Sequence, residues 1–249
     1  MRPTLAFVQG RGSTGLRLGG LPRMQPPIPW PRRDGAPLSL IAEMDLTKVR
    51  KAGAPDWLPS EGFLHFFYDA DQQPWGFDPN DQGGWLVSWS AAVAGHPIGP
   101  PTDLEPVLIF DERRLVARPA RSYPQPERLK LRTDYDYNAV ETLFFEETGT
   151  SVPDHRVGGY PSPVQNDDME LECELVTNGI NLGKPDAYSS PRAKALAAGA
   201  DDWRLLLQVD SDDATGMMWG DSGMLYFWIR EQDARSGDFS RVWLILQCC

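Results

Sequence analysis

The sequence predicts an α+β fold dominated by short β-strands, internally duplicated into two pseudo-symmetric halves with a few short helices. Three observations carry that expectation. The 249 residues include 23 prolines and 23 glycines, which cut the chain into pieces too short for long helices. Aromatic and aliphatic residues gather in short runs bounded by turn residues, as strands require. Three segments also recur in the same order along the chain. Gly19-Gly20-Leu21-Pro22 is matched by Gly158-Gly159-Tyr160-Pro161, Ile41–Asp45 by Leu206–Asp210, and Gly62–Tyr68 by Gly223–Ile229. The spacings between matched segments differ, so the intervening loops have diverged in length. Two copies fall short of the roughly three repeats a solenoid needs. The halves, approximately 15–100 and 155–249, are therefore expected to pack about one core within a single domain of residues 1–249.

In chain order, Leu40–Leu46 reads as a strand followed by a short turn at Thr47–Ala52, and Gly62–Tyr68 as a central strand. Trp85–Trp89, Pro106–Phe110 and Arg114–Arg118 read as further strands between proline-rich turns, with Ile98–Pro106 the best candidate boundary between the halves. Asn138-Ala139-Val140-Glu141 resembles a capping box opening a helix toward Glu147. Ser190-Pro191 predicts a helix over Arg192–Ala198, closed by Gly199. Leu205–Asp210 and Gly223–Ile229 complete the second half as strands.

Period-two geometry puts Leu64, Phe66 and Tyr68 on one face of their strand, and Leu225, Phe227 and Ile229 on the matching face of the other. The opposite face carries Phe63, His65 and Phe67 in one half and Met224, Tyr226 and Trp228 in the other. Neither face suits water, so the second is either covered by other elements or forms an aromatic groove for a ligand or partner. Covered, His65 is a core histidine with a hydrogen-bonded ring; in a groove, His65 and Tyr226 are contacts. Glu43 and Gln208 recur at one point of a paired strand, where an unpartnered polar group costs about 1–3 kcal/mol. They are expected to bracket a neighbouring loop by hydrogen bonds, with ligand contact as the alternative.

The composition, 41% hydrophobic and 24% charged, is that of a globular chain. A net charge of -11 disfavours nucleic acid. Cys173, Cys248 and Cys249 are too few and too badly spaced for a disulfide framework or a four-ligand zinc site, which points to a reducing, cytoplasmic setting. No apolar stretch approaches the ~18 residues a membrane span needs, and no leader pattern opens the chain. The common metalloprotease, phosphate-loop, dinucleotide and redox motifs do not occur, so no cofactor is expected.

Asp221-Ser222-Gly223 looks like a protease serine segment, yet the matched Ser60-Glu61-Gly62 does not align the serine, and neither His96 nor His155 has a supporting neighbourhood. Asp221 and Ser222 are therefore expected to accept backbone hydrogen bonds in a turn. The carboxylates Asp210, Asp212, Asp213 and Asp221 could gather on one rim; Asp210 and Asp221 are the candidate ligands for Ca²⁺ or Mg²⁺, although the spacing is not that of an EF-hand. Trp75-Gly76 and Trp219-Gly220 are either buried or, if exposed, recognition residues.

These residues resemble the YwqG-like family, mostly bacterial chains of unknown function. The resemblance rests on Gly19-Gly20-Leu21-Pro22 with Trp30-Pro31, Pro37-Leu38 leading into Ile41–Leu46, Leu58-Pro59, and Gly62–Tyr68. Toward the other end it rests on Leu207-Gln208-Val209-Asp210 and the run Met218–Ile229, ending at Gln247. It spans nearly the whole chain, and Trp219-Gly220-Asp221-Ser222-Gly223 is its most specific part. The resemblance implies a β-dominated, duplicated fold and the company of accessory and immunity-type proteins, and it brings no reaction or catalytic residue. One departure is Glu43, where the family pattern has Gln as at Gln208. The expected function is a non-catalytic binding or protein-interaction module, with a protein partner or small ligand held by Trp219, Asp221, Ser222, His65, Tyr226, Glu43 and Gln208. The alternatives are a carboxylate-based metal-dependent enzyme and a structural assembly protein.

Overall fold

The computed structural model describes residues 2–11, 14–24, 29–90, 96–125, 128 and 153–249. Ten strands form one antiparallel sheet: β1 (Arg2–Val8), β2 (Thr14–Leu18), β5 (Ser39–Asp45), β6 (Phe63–Tyr68), β7 (Trp85–Ser90), β8 (Arg113–Ser122), β9 (His155–Val157), β10 (Trp203–Asp210), β11 (Met224–Arg230) and β12 (Trp243–Gln247). Their order is β7-β6-β5-β2-β8-β1-β9-β10-β11-β12. A small ribbon of β3 (Arg32–Arg33) and β4 (Ala36–Pro37) stands apart, turned at Asp34 and Gly35, both at positive φ.

The sheet curls until it nearly closes. Phe66 and Phe227 lie on β6 and β11, far apart in the strand order, yet their rings meet edge-on at 5.1 Å. Trp85 on one edge strand and Trp243 on the other are 4.8 Å apart, and Trp85 Nε1 donates to Val242 O at 2.9 Å. The free edge of β12 is lined by the segment around Trp75-Gly76. Leu246 N donates to Trp75 O at 3.0 Å, as in a ladder, and Trp243 Nε1 donates to Gly76 O at 2.8 Å. Gly76 has φ +80, and a Cβ there would fall 1.8 Å from Leu244 O, so only glycine permits this approach.

Leu64, Phe66, Tyr68, Leu225, Phe227 and Ile229 fill the interior of the curl. The opposite face is covered as well, which corrects the groove alternative: His65, Phe67, Tyr226 and Trp228 are all fully buried. Met24, Leu38 and Leu40, with Trp30, Leu86 and Ile98, pack on Phe67 in one half. In the other, helix α2 (Met169–Thr177) lies against β10 and β12. The aromatic residues are inner layers of a two-sided core.

Helix α1 (Leu46–Lys51) follows β5 where a turn was expected, capped by Asp45, whose side chain accepts from Lys48 N. Helix α3 (Pro191–Leu196) starts as predicted, with Ser190 Oγ accepting from Ala193 N. It does not stop at Gly199 but runs on as a 3₁₀ turn over Ala197–Asp202. Gly199 serves close approach instead: a Cβ would fall 2.6 Å from the Glu174 carboxyl. Helix α4 (Glu231–Ser236) joins β11 to β12. Pro106–Phe110, expected as a strand, forms a 3₁₀ turn at Pro106–Leu108, closed by Leu108 N to Glu105 O and Ile109 N to Pro106 O. Pro106 lacks the N–H a ladder needs, and Phe110 packs on Trp219. The helix expected from Asn138 lies outside the described residues.

Candidate functional site

Two polar rows cross the sheet beneath two loops. In the first, Arg17, Glu43 and His65 are cross-strand neighbours on β2, β5 and β6. Arg17 Nη2 is 2.7 Å from Glu43 Oε2, and the same guanidinium donates to Gly19 O at 2.7 Å and Leu21 O at 2.9 Å. Glu43 Oε2 accepts the Arg23 N–H at 3.1 Å, and His65 Nε2 faces both Arg23 O and Glu43 Oε2, at 3.1 and 3.2 Å. With two acceptors before it, Nε2 carries a proton; Nδ1 is buried without a partner among the described residues. Burial opposes ionisation of Glu43, but the hydrogen bonds and charge of His65 and Arg17 outweigh it and bring the carboxyl down to about 2.

The second row is Arg156, Gln208 and Tyr226 on β9, β10 and β11. Gln208 Oε1 accepts the Ser162 N–H at 2.9 Å, while Tyr226 OH donates to Ser162 O at 2.7 Å and Arg156 to Tyr160 O at 3.3 Å. Here the arginine's acid is Asp154, two residues earlier on the chain, which Arg156 Nε meets at 3.0 Å. Gln208 Nε2 then donates to Asp154 O at 3.0 Å. That exchange accounts for the pairing of Glu43 with Gln208: the carboxylate nearest each arginine is supplied across the sheet in one row and along the strand in the other. Glu43 and Gln208 thus make the loop-bracketing hydrogen bonds expected of them. The arginines escaped the sequence reading, although Arg-x-Gly-Gly-x-Pro recurs at Arg17–Pro22 and Arg156–Pro161.

Trp219 is fully buried, donating from Nε1 to Asp210 O at 3.3 Å, with its ring edge-on to Tyr68 and Phe110 at 5.8 and 5.7 Å. The turn after it is closed by backbone and by Ser211, through Gly223 N to Trp219 O at 2.7 Å and Ser211 Oγ to Gly223 O at 2.8 Å. Asp221 and Ser222, expected as side-chain acceptors in this turn, are instead exposed, with Ser222 at φ +55. Asp210 is buried, which raises its pKa, and Oδ2 accepts the Asp154 N–H at 2.8 Å. His155 Nδ1 accepts the Asp210 N–H at 3.2 Å, leaving Nε2–H toward Asp212 at 3.4 Å. Arg113 also pairs with Asp212, whose carboxyl is brought down to about 2: burial opposes ionisation, and the bonds from His155 and Arg113 favour it more. Among the described residues, no group of three or more His, Cys, Asp or Glu side chains could hold a metal ion.

The exposed turn adjoins a second loop to form a rim. Gln73, at φ +45, donates from Nε2 to Met218 O at 3.2 Å and accepts the Gly220 N–H on Oε1 at 2.8 Å. Trp75 bonds to β12 through Leu246, and Gly220 packs on Cys248 just beyond that strand. Trp75 is 39% exposed and Met218 45%, both large apolar groups facing solvent. Gln73 had no signal in the sequence, because its role depends on a loop 145 residues away.

A cleft of about 920 Å³ lies elsewhere, among Arg2, Arg128, Asp167, Glu170, Trp203 and Arg204. Arg128 pairs there with Asp167 and Glu170 at 2.5 and 2.6 Å and Arg204 with Glu231 at 2.9 Å, while the Arg2 guanidinium lies over the Tyr160 ring. Burial raises Asp167 to about 6 despite Arg128. On α2 beside it, burial raises Glu172 to about 7, against hydrogen bonds from Asn166 and Tyr188.

No curated protein matches the chain. No helix among the described residues is long and apolar enough to cross a membrane. A family described as a domain of unknown function (DUF1963) matches residues 16–248, a span that takes in both polar rows, the buried Trp219 and the rim, and the chain belongs to that family.

Proposed function

We propose that the protein is a non-catalytic binding module of the protein-interaction type, an accessory protein of a cytoplasm whose partner docks on the rim of Trp75, Met218, Asp221 and Ser222. The observation that carries this reading is the exposure of Trp75 and Met218 on two loops that Gln73 pins together. Exposed aromatic and methionine side chains on a fixed surface are what interface centres are made of. The cleft near Arg128 is a poorer candidate, since Arg128, Asp167 and Glu170 within it already pair with one another. The remaining sequence candidates act from below. Trp219 supports the turn, and His65, Glu43, Gln208 and Tyr226 hold their loops in place. Free cysteines at 173, 248 and 249 suit a reducing compartment.

We also infer that the two halves descend from one segment. The likeness of the row Arg17, Glu43, His65 to the row Arg156, Gln208, Tyr226 supports this, as does the bracketing of Arg23 in one and Ser162 in the other.

Affinity capture with the full chain and with a Trp75→Ala/Met218→Ala variant tests the binding surface. A partner retained in stoichiometric amount by the first is expected to be lost by the second, with melting moved by no more than about 4 °C because both side chains are more than a third exposed. Equal retention by both, or none by either, counts against the rim.

A further inference from the structure

We infer that the segment docking on this rim is basic: a stretch of another protein in which lysine or arginine alternates with apolar side chains. This rests on the rim being the binding surface, and it adds the chemistry of the partner. Residues 69–84 and 210–223, the segments that carry the two rim loops, contain eight aspartates and no lysine or arginine. Five of the eight are engaged within the fold. Asp69 and Asp81 face Arg33, Asp78 caps its turn and holds Asn181, Asp210 takes the Asp154 N–H, and Asp212 pairs with Arg113. Asp71, Asp213 and Asp221 are exposed, and no cation within the described residues pairs with them.

A cation brought here gains from these carboxylates and from the exposed face of Trp75, while leucine-like groups cover Met218 and the indole edge. A second copy of the same rim would meet it with like charge, which excludes self-association through this surface. Nucleic acid is excluded by the same sign.

Three labelled hexapeptides serve as probes by fluorescence anisotropy with the full chain: one alternating lysine and leucine, one glutamate and leucine, one serine and leucine. The lysine peptide is expected to bind, and to weaken by about fivefold or more with Asp221→Lys and about threefold or more with Trp75→Ala. Asp201→Lys is the control, carrying the same charge change at the other end of β10, beside the cleft. It is expected to leave affinity within about twofold, with all variants melting alike. Equal loss with Asp201→Lys and Asp221→Lys means diffuse attraction to an acidic chain and overturns the inference. So does a lysine peptide that does not bind, or one indifferent to both rim variants. If the serine or glutamate peptide binds as tightly and is lost with Trp75→Ala, the basic partner is wrong while the rim remains the docking surface.

Discussion

A carboxyl group sealed inside a sheet can be held ionised by donors or pushed toward its protonated form by burial, and Glu43 and Glu172 show the two outcomes. Arg17 and His65 hold Glu43 down to about 2, below its ordinary 4.5. Its contribution to stability is therefore complete above about pH 4.5 and lost as pH falls toward 2. Glu172 behaves oppositely. Burial lifts it from 4.5 to about 7, and its Oε2 has no partner among the described residues. The folded state binds this proton more tightly than the unfolded chain, so stability is full below about pH 4.5 and declines as pH rises through 7. Glu172→Gln removes that decline, and is expected to stabilise the protein at pH 8 by about 2–3 kcal/mol while changing little at pH 4. Urea unfolding at the two pH values measures it; an unchanged slope between them refutes the assignment. Glu43→Ala leaves Arg17 buried beside fewer acceptors and is expected to cost about 3–5 kcal/mol. Glu43→Gln should cost clearly less, because an amide oxygen can still take the Arg23 N–H, as Gln208 does from Ser162.

The elements divide by whether their own residues carry the pattern. β5, β6, β7, β10 and β11 were legible because aromatic and aliphatic residues crowd into short runs, and the Ser190-Pro191 start of α3 is a local cap. β9 has three residues and takes its place only by pairing with β1 and β10. α2 was hidden for a different reason: Glu170, Glu172 and Glu174 alternate with apolar residues, a period of two that suits a strand, and all three are buried, so the helical period does not emerge. Of the site, the bracketing by Glu43 and Gln208 could be anticipated from their recurrence, whereas the rim depends on Gln73 reaching across the fold. The two Trp-Gly pairs then separate. Trp219→Ala, emptying a fully buried space between Tyr68 and Phe110, is expected to cost about 3–5 kcal/mol. Trp75→Ala, at a solvent-facing ring, should cost under about 1 kcal/mol by the same denaturation assay.

At the scale of the whole molecule, curling one sheet brings β6 against β11 and leaves the polar rows to fix loops on its outer face. The contact of Phe66 with Phe227 is the direct consequence, and a double-mutant cycle on the two alanine variants should give a coupling of about 0.5–1.5 kcal/mol. Additive losses would mean that the two rings do not share one interior. On the proposed reading, what this architecture offers a partner is the rim at one end of β12, where Trp75 and Met218 are exposed and Trp219 is buried. Amide hydrogen exchange, read with and without the captured partner, addresses that statement most directly. Slowed exchange confined to residues 71–77 and 218–222 is the expected result. Protection instead around Arg2, Arg128 and Arg204, with the rim unchanged, would place binding in the cleft and contradict it.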